Sequence, residues 1–388
     1  MSVTAARGFR ACGLRAGIKA SGNPDLALVV NDGPRATAAA VFTSNRFQAA
    51  PVLWSRQAVA DGEIRAVVLN SGGANACTGP EGFADTHGTA EHVARTLSAS
   101  GHEVGPGDVA VCSTGLIGER LPMPALLAGI DAAVGALTSD GGPAAAEAIM
   151  TTDTVPKTSS VTVDGFTVGG MAKGAGMLAP ALATMLVVIT TDADVEASLA
   201  DAALREACSL TFDRIDSDGC MSTNDTVLLL ASGATGIAPT SSSFTQAVTA
   251  VCADLARQLI GDAEGASKDI AIAVEGAASV DDALEVGRAV ARSNLLKCAI
   301  HGEDPNWGRV LSAIGTTSAA FEPDSVDVAI NGVWICHGGG IGEDRDLVRM
   351  SGRDIRIEVR LNAGDYAATV WTNDLTADYV HENSAYAT

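Results

Sequence analysis

Residues 161–192 read VTVDGFTVGGMAKGAGMLAPALATMLVVITTD. Val161 and Val163 alternate with polar residues up to Asp164-Gly165, and Phe166 and Val168 resume the alternation beyond it. That is the pattern of two half-buried strands joined by a tight turn. Similar hairpin signals lie downstream, at Val326, Val328 and Ile330 before Asn331-Gly332, and at Ile355, Ile357, Val359 and Leu361 before a turn over 362–365. Ile270, Ile272 and Val274 form a further alternating run. Helical spacing is interleaved with these strands, at Leu199, Ala203, Ala207 and Leu210, and from Phe244 to Ile260 after a cap region at Ser241–Ser243. Three short runs are apolar without alternation: Ala66–Leu69, Val109–Val111 and Val227–Leu230. Such runs suit strands buried on both faces, in sheets sandwiched between helices. Hairpins mixed with helices, with no regular strand–helix repeat, predict α+β layers and not a doubly wound sheet. The Gly-, Ser- and Thr-rich segment Gly233–Ser243 is read as the junction between a larger domain, 1–238, and a smaller C-terminal one, 239–388.

The chain has 388 residues, 46 of them Asp or Glu against 25 Lys or Arg, for a net charge of −21. Nucleic-acid binders carry a basic surface, so that class is excluded. With 47% hydrophobic and 18% charged residues, the chain has enough apolar material for a large core. No apolar run follows Arg7 and Arg10 as a secretory signal would require, and the most apolar window, Met177–Ile189, is broken by Pro180 and too short for a membrane span. The expected location is the cytoplasm, with no membrane partner. The eight cysteines are scattered without a CxxC pair, and His87 and His92 are five residues apart, so no metal site is predicted and buried reduced thiols are expected, Cys220 among them.

Glycine-rich turns follow apolar strands at 70–75, 113–118 and 169–176. The last is no phosphate loop, because Lys173 precedes Gly174 where Gly-Lys-Ser/Thr is needed, and neither a dinucleotide fingerprint nor a GxSxG elbow is present. By residue type alone Thr184 is a β-branched strand residue with its hydroxyl bonded to backbone. The small Ala183 before it raises another reading, self-cleavage by an N-to-O acyl shift. A freed Thr184 α-amine, with an ordinary pKa of about 7.7 to 8.0, would then act as base for its own hydroxyl. Acyl transfer also needs oxyanion donors; Thr114 and Gly115 fit, although the same two residues fit an ordinary tight turn equally well.

The segments NSGGANACTG (70–79), STGLIG (113–118), IMTT (149–152), 171–192, STNDT (222–226), DPNWGR (304–309) and YVHENSAYAT (379–388) occur in this order. Together they resemble the ornithine acetyltransferase, or glutamate N-acetyltransferase (ArgJ-type), family over essentially the whole length. The resemblance implies a DOM fold, an αββα-type layered sandwich like the N-terminal-nucleophile hydrolases, with a smaller C-terminal α+β domain. It implies cleavage between Ala183 and Thr184, an α2β2 assembly of the resulting chains, Thr184 as nucleophile and Thr114 with Gly115 as oxyanion pair. It also implies substrate contacts from Thr151, Lys173, Thr184, Glu264, Asn383 and Thr388, with no departure at any of these positions. The implied reaction moves the acetyl group of N-acetylornithine to glutamate, without cofactor; some members also take acetyl-CoA as co-substrate. The charges agree: acetylornithine carries a carboxylate and an ammonium, and Lys173 and Glu264 have the matching signs. Two competing readings are an amidase or aminopeptidase using the same nucleophile with water as acceptor, and a non-catalytic ligand-binding protein.

Overall fold

The computed structural model describes residues 2–179 and 185–385. Nine strands come first: β1 (Phe9–Leu14), β2 (Leu26–Asn31), β3 (Thr37–Phe42), β4 (Ala66–Ser71), β5 (Val109–Thr114), β6 (Lys157–Val163), β7 (Phe166–Lys173), β8 (Leu186–Thr191) and β9 (Thr226–Ala231). They form two sheets, of order β1-β2-β4-β5 and β3-β9-β8-β7-β6. Six helices accompany them: α1 (Ala50–Ala58), α2 (Gly79–Ala99), α3 (Met123–Gly135), α4 (Gly142–Ala148), α5 (Ala197–Leu210) and α6 (Ser241–Gly261).

Alternation within the apolar runs builds the layers. In β4, Val67 and Leu69 face the second sheet, whereas Ala66 and Val68 face α2 and α3. In β9, Leu228 and Leu230 meet the first sheet, whereas Val227 and Leu229 meet α5 and α6. Each strand is therefore buried on both sides, as the unbroken apolar runs require. The order of layers is helices, sheet, sheet, helices, which is the α+β αββα sandwich expected.

The 163–166 hairpin forms as read: Asp164 and Gly165 take φ of 50° and 85°, the primed turn that matches strand twist, and Val163 pairs with Phe166. Helix α6 is capped one residue earlier than the serine run suggests, by Thr240, whose Oγ1 accepts from Ser243 N at 3.2 Å.

The C-terminal part contains β10 (Asp269–Ala277), α7 (Val280–Ala291), α8 (Asn294–His301), α9 (Trp307–Ile314), β11 (Asp327–Ile330), β12 (Val333–His337), β13 (Gly340–Ile341), β14 (Asp354–Arg360), β15 (Tyr366–Asn373) and α10 (Ala377–Ala385). Its sheet runs β13-β12-β11-β14-β10-β15. The Asn331-Gly332 hairpin is present, but β14 and β15 are not a hairpin. Strand β10 lies between them, parallel to β14 and antiparallel to β15. The connecting turn straddles its end, with Leu361 N bonded to Glu275 O and both Ala363 N and Gly364 N to Gly276 O. Gly276, at φ +66°, makes room for that wrap.

Helix α6 packs its Phe244, Val248, Val251 and Leu255 into the core shared with α5 and the second sheet, while the C-terminal core starts at Ile270. The change of core thus falls between Ala263 and Ile270, about thirty residues beyond the 238/239 boundary read from loop composition.

A buried ionic knot ties α6 to the hairpin. Lys157 Nζ, fully buried, lies 2.7 Å from Asp153 Oδ1 and 2.6 Å from Asp262 Oδ2. Asp153 also accepts from Gly174 N at 2.6 Å and Thr151 N at 3.0 Å. Burial pushes the Asp153 carboxyl upward, but the charges of Lys173 and Lys157 and these hydrogen bonds outweigh it and hold the group at about 2. A depressed carboxylate contributes stability above its unfolded value of about 3.9 and loses it as pH falls through the folded one. Between pH 4 and 2, denaturant titrations should show the wild type losing about 2 kcal/mol more than Asp153→Asn; parallel profiles would contradict this assignment.

Candidate active site

The turn after β5 is shaped by glycine. Gly115 sits at φ +130°, and a Cβ there would lie 2.5 Å from Gly73 N and 2.7 Å from Gly72 C. Only glycine permits this approach. The neighbouring Gly72 N and Gly73 N both bond to Thr114 O, at 2.9 and 3.0 Å. Side chains from the other motifs brace the turn: Ser113 Oγ donates to Asn70 Oδ1 at 2.6 Å, and Asn224 Nδ2 donates to Ser113 O at 2.8 Å and Ala74 O at 2.6 Å. Asn224 comes from the loop before β9, so it joins the two sheets at the end where Thr114 emerges.

Lys173 is the last residue of β7 and is 1% exposed, with its Nζ 3.3 Å from Thr114 Oγ1. Because the ammonium only donates, the Thr114 hydroxyl accepts here and keeps its own proton for another acceptor. Burial pulls the Lys173 pKa down from the ordinary lysine value, and the charge of Asp153 opposes that pull. Lys173 has no carboxylate within ion-pair distance among the described residues.

Glu264 lies in the turn between α6 and β10, where Asn383 Nδ2 of α10 donates to its Oε2 at 3.0 Å. Gly265 places that helix. At φ +62°, it would drive a Cβ to 2.2 Å from Tyr379 N, and its carbonyl accepts from Thr376 Oγ1 at 2.6 Å. Across from Glu264, a Cβ on Gly176 would come within 2.6 Å of both carboxylate oxygens.

These groups surround one cavity of about 660 Å³. Thr114, Gly115, Thr151, Lys173, Glu264 and Asn383 all line it. Ala183, Thr184 and Thr388 lie outside the described residues. The chain re-enters at Met185, whose N–H donates to Asp225 Oδ1 at 3.0 Å, so Asp225 fixes the residue next to Thr184 in sequence. Asp225 is fully buried and its Oδ2 has no hydrogen-bond partner among the described residues. Burial pushes its carboxyl well above the ordinary range, against the pull of the Met185 N–H and the Lys173 charge.

Sequence alone does not single out Asp153, Lys157, Asp262 or Asp225. Only the four-residue spacing of Asp153 and Lys157 was visible as a signal, since Asp262 meets Lys157 from 105 positions away. Cys220 is exposed, not buried as expected, because it sits on the turn where Asp218 Oδ1 accepts its N–H. Cys77 and Cys298 are exposed as well, and all eight thiols are free.

The arrangement offers a hydroxyl and a backbone N–H at a glycine turn, a buried cation beside them and a carboxylate across the cavity. That set suits acyl transfer to or from a small zwitterionic molecule. The arginine biosynthesis bifunctional protein ArgJ of Streptomyces coelicolor is 69% identical over 387 residues, covering the whole of both chains. The protein of the same name from Thermobifida fusca is 63% identical, again over the full length of both. A solved ornithine acetyltransferase complexed with ornithine, from Mycobacterium tuberculosis, is 63% identical over 46% of this chain and 94% of its own, with a TM-score of 0.46. The ArgJ family model matches residues 10–388, and the chain belongs to the ArgJ family.

Proposed function

We propose that this protein transfers the acetyl group of N-acetylornithine to glutamate through an acetyl ester on Thr184, after cleaving its own chain between Ala183 and Thr184. The observation that carries the reading is the single cavity lined by Thr114, Gly115, Thr151, Lys173, Glu264 and Asn383, six residues drawn from five separate stretches of sequence. Membership of a family whose relatives are named for arginine biosynthesis supports the choice of substrates.

In self-cleavage, Thr184 Oγ forms a bond to the Ala183 carbonyl carbon as the peptide C–N bond breaks. Water then hydrolyses the ester, leaving a carboxylate on Ala183 and a free α-amine on Thr184. In turnover that amine takes the hydroxyl proton while Oγ attacks the acetyl carbon. The tetrahedral oxyanion faces the Thr114 hydroxyl, which accepts from Lys173 and so has its own proton to give, and the Gly115 N–H. Ornithine leaves with the proton, and the amine of glutamate attacks the acetyl ester to give N-acetylglutamate and restore the hydroxyl. Lys173 takes the substrate α-carboxylate, and Glu264 takes the ornithine side-chain ammonium. Thr151, Asn383 and Thr388 complete the substrate contacts. Because one residue is both base and nucleophile, this chemistry calls for no cofactor; acetyl-CoA would be an alternative acetyl donor. The family resemblance further supports an α2β2 assembly working in the cytoplasm.

The direct test mixes enzyme with acetyl-labelled acetylornithine and no glutamate. One equivalent of ornithine should be released, with the label retained on protein and removed faster by added glutamate than by water. Faster removal by water alone would make the enzyme a hydrolase. Thr184→Ala should abolish both cleavage and turnover, and Thr114→Ala should lower kcat roughly 100- to 1,000-fold. Glu264→Gln should raise KM for acetylornithine roughly ten- to hundredfold and leave cleavage intact, as read by steady-state kinetics and gel mobility. Carboxylate binding needs the protonated lysine, and burial lowers the Lys173 pKa, so acetylornithine affinity should fall as pH rises, starting below the ordinary lysine value.

A further inference from the structure

The two substrates of the proposed reaction differ in side-chain charge. Acetylornithine presents an ammonium, glutamate a carboxylate, and a ping-pong site must hold each in turn. Lys173 can take the α-carboxylate of both, and Glu264 suits only the ornithine ammonium. A glutamate γ-carboxylate set against Glu264 would be repelled unless a second cation offset it.

Among the described residues lining the cavity there is one other cation, Lys19. Its Nζ donates to two main-chain carbonyls, Pro24 O at 2.8 Å and Met150 O at 2.6 Å. An ammonium has three donors, so one is left over, and Lys19 makes no ion pair among the described residues. The loop that carries it is rigidly built. Buried Asp25 accepts from four successive backbone N–H groups, those of Ala16, Gly17, Ile18 and Lys19, at 2.6 to 3.1 Å. The loop also presses on the oxyanion turn: a Cβ on Gly72 would lie 3.0 Å from Lys19 Cγ. Burial lowers the Lys19 pKa, and the positive charge of Lys173 lowers it further against the pull of Asp25 and Asp153. Two ammonium groups that repel across one cavity are relieved by a ligand carrying two carboxylates.

We propose that Lys19 binds the side-chain carboxylate of the acidic acceptor, making it the residue that selects glutamate in the second half-reaction. The inference rests on the transferase reading above. Lys173 and Lys19 then hold the two carboxylates of glutamate, while Lys173 and Glu264 hold the two charges of acetylornithine. Selectivity between the half-reactions resides in which of Lys19 and Glu264 is engaged.

The experiment compares wild type with Lys19→Met, Lys19→Gln and Lys19→Arg, using glutamate and its neutral isostere glutamine as acceptors. Lys19→Gln keeps donors for the Pro24 and Met150 carbonyls, so it controls for loss of the loop. In Lys19→Met and Lys19→Gln the KM for glutamate should rise roughly ten- to hundredfold, and the preference for glutamate over glutamine should collapse. KM for acetylornithine should move far less, and Lys19→Arg should restore the preference in part. Equal rises in KM for both substrates, or an intact preference for glutamate over glutamine in Lys19→Gln, would overturn the assignment. If wild type releases no ornithine without glutamate, the acetyl-enzyme reading on which this inference rests has failed, a result separate from either outcome for Lys19.

Discussion

Burying an ammonium costs several kcal/mol unless a charge compensates it nearby, and the cavity depends on how this chain meets that cost at Lys173. The compensating group is Asp153. It carries the largest opposing influence on the Lys173 ammonium after burial itself, and it bonds to Gly174 N, the residue that follows Lys173. The same carboxylate accepts from Thr151 N and from Lys157, which in turn reaches Asp262 at the end of α6. One acid therefore sets the cation, the threonine turn and the strand end in a fixed relation. Removing it would leave two buried ammonium groups to repel each other, as well as releasing the turn.

The two sheets converge at the same place. Asn224, in the loop before β9, reaches across to Ser113 and Ala74, so the turn after β5 in one sheet is held by the loop that also carries Asp225. Asp225 bonds to Met185 N at the entrance to β8. The parallel pair β4–β5 ends at this edge, at Ser71 and Thr114, and the parallel pair β8–β9 begins there, at Leu186 and Thr226. The cavity lies at this edge, with Gly72, Gly115 and Gly176 in its wall. The C-terminal helix closes the far side through Asn383, latched by Gly265.

Much of this was readable in advance where the signal was local. Asp164-Gly165 announced its turn because φ above zero at two successive positions favours that pair, and the unbroken runs at 66–69 and 227–230 announced burial on both faces. The 362–365 turn misled for a related reason: its residues suit a hairpin, but the space between the flanking strands is taken by β10, which is 90 residues away in sequence and leaves no local trace. The core boundary was misplaced because a Gly- and Ser-rich loop marks a break in chain regularity, whereas Phe244 and Val248 decide which core α6 joins. Lys173 and Glu264 were legible only through the family resemblance. Asp225 was legible only as part of the 222–226 motif and Asp153 only through its four-residue spacing to Lys157, while Lys19 left no signal, since its partners are backbone groups that carry no sequence signature.

In the proposed reaction Thr184 becomes a free N-terminal nucleophile and carries the acetyl group. This is tested most directly by denaturing intact-mass measurement of fresh protein, before and after exposure to acetylornithine alone. Two chains divided between Ala183 and Thr184 are expected, with one added acetyl confined to the chain that begins at Thr184. Full activity in a single uncleaved chain, or an acetyl group found only on the other fragment, would contradict it.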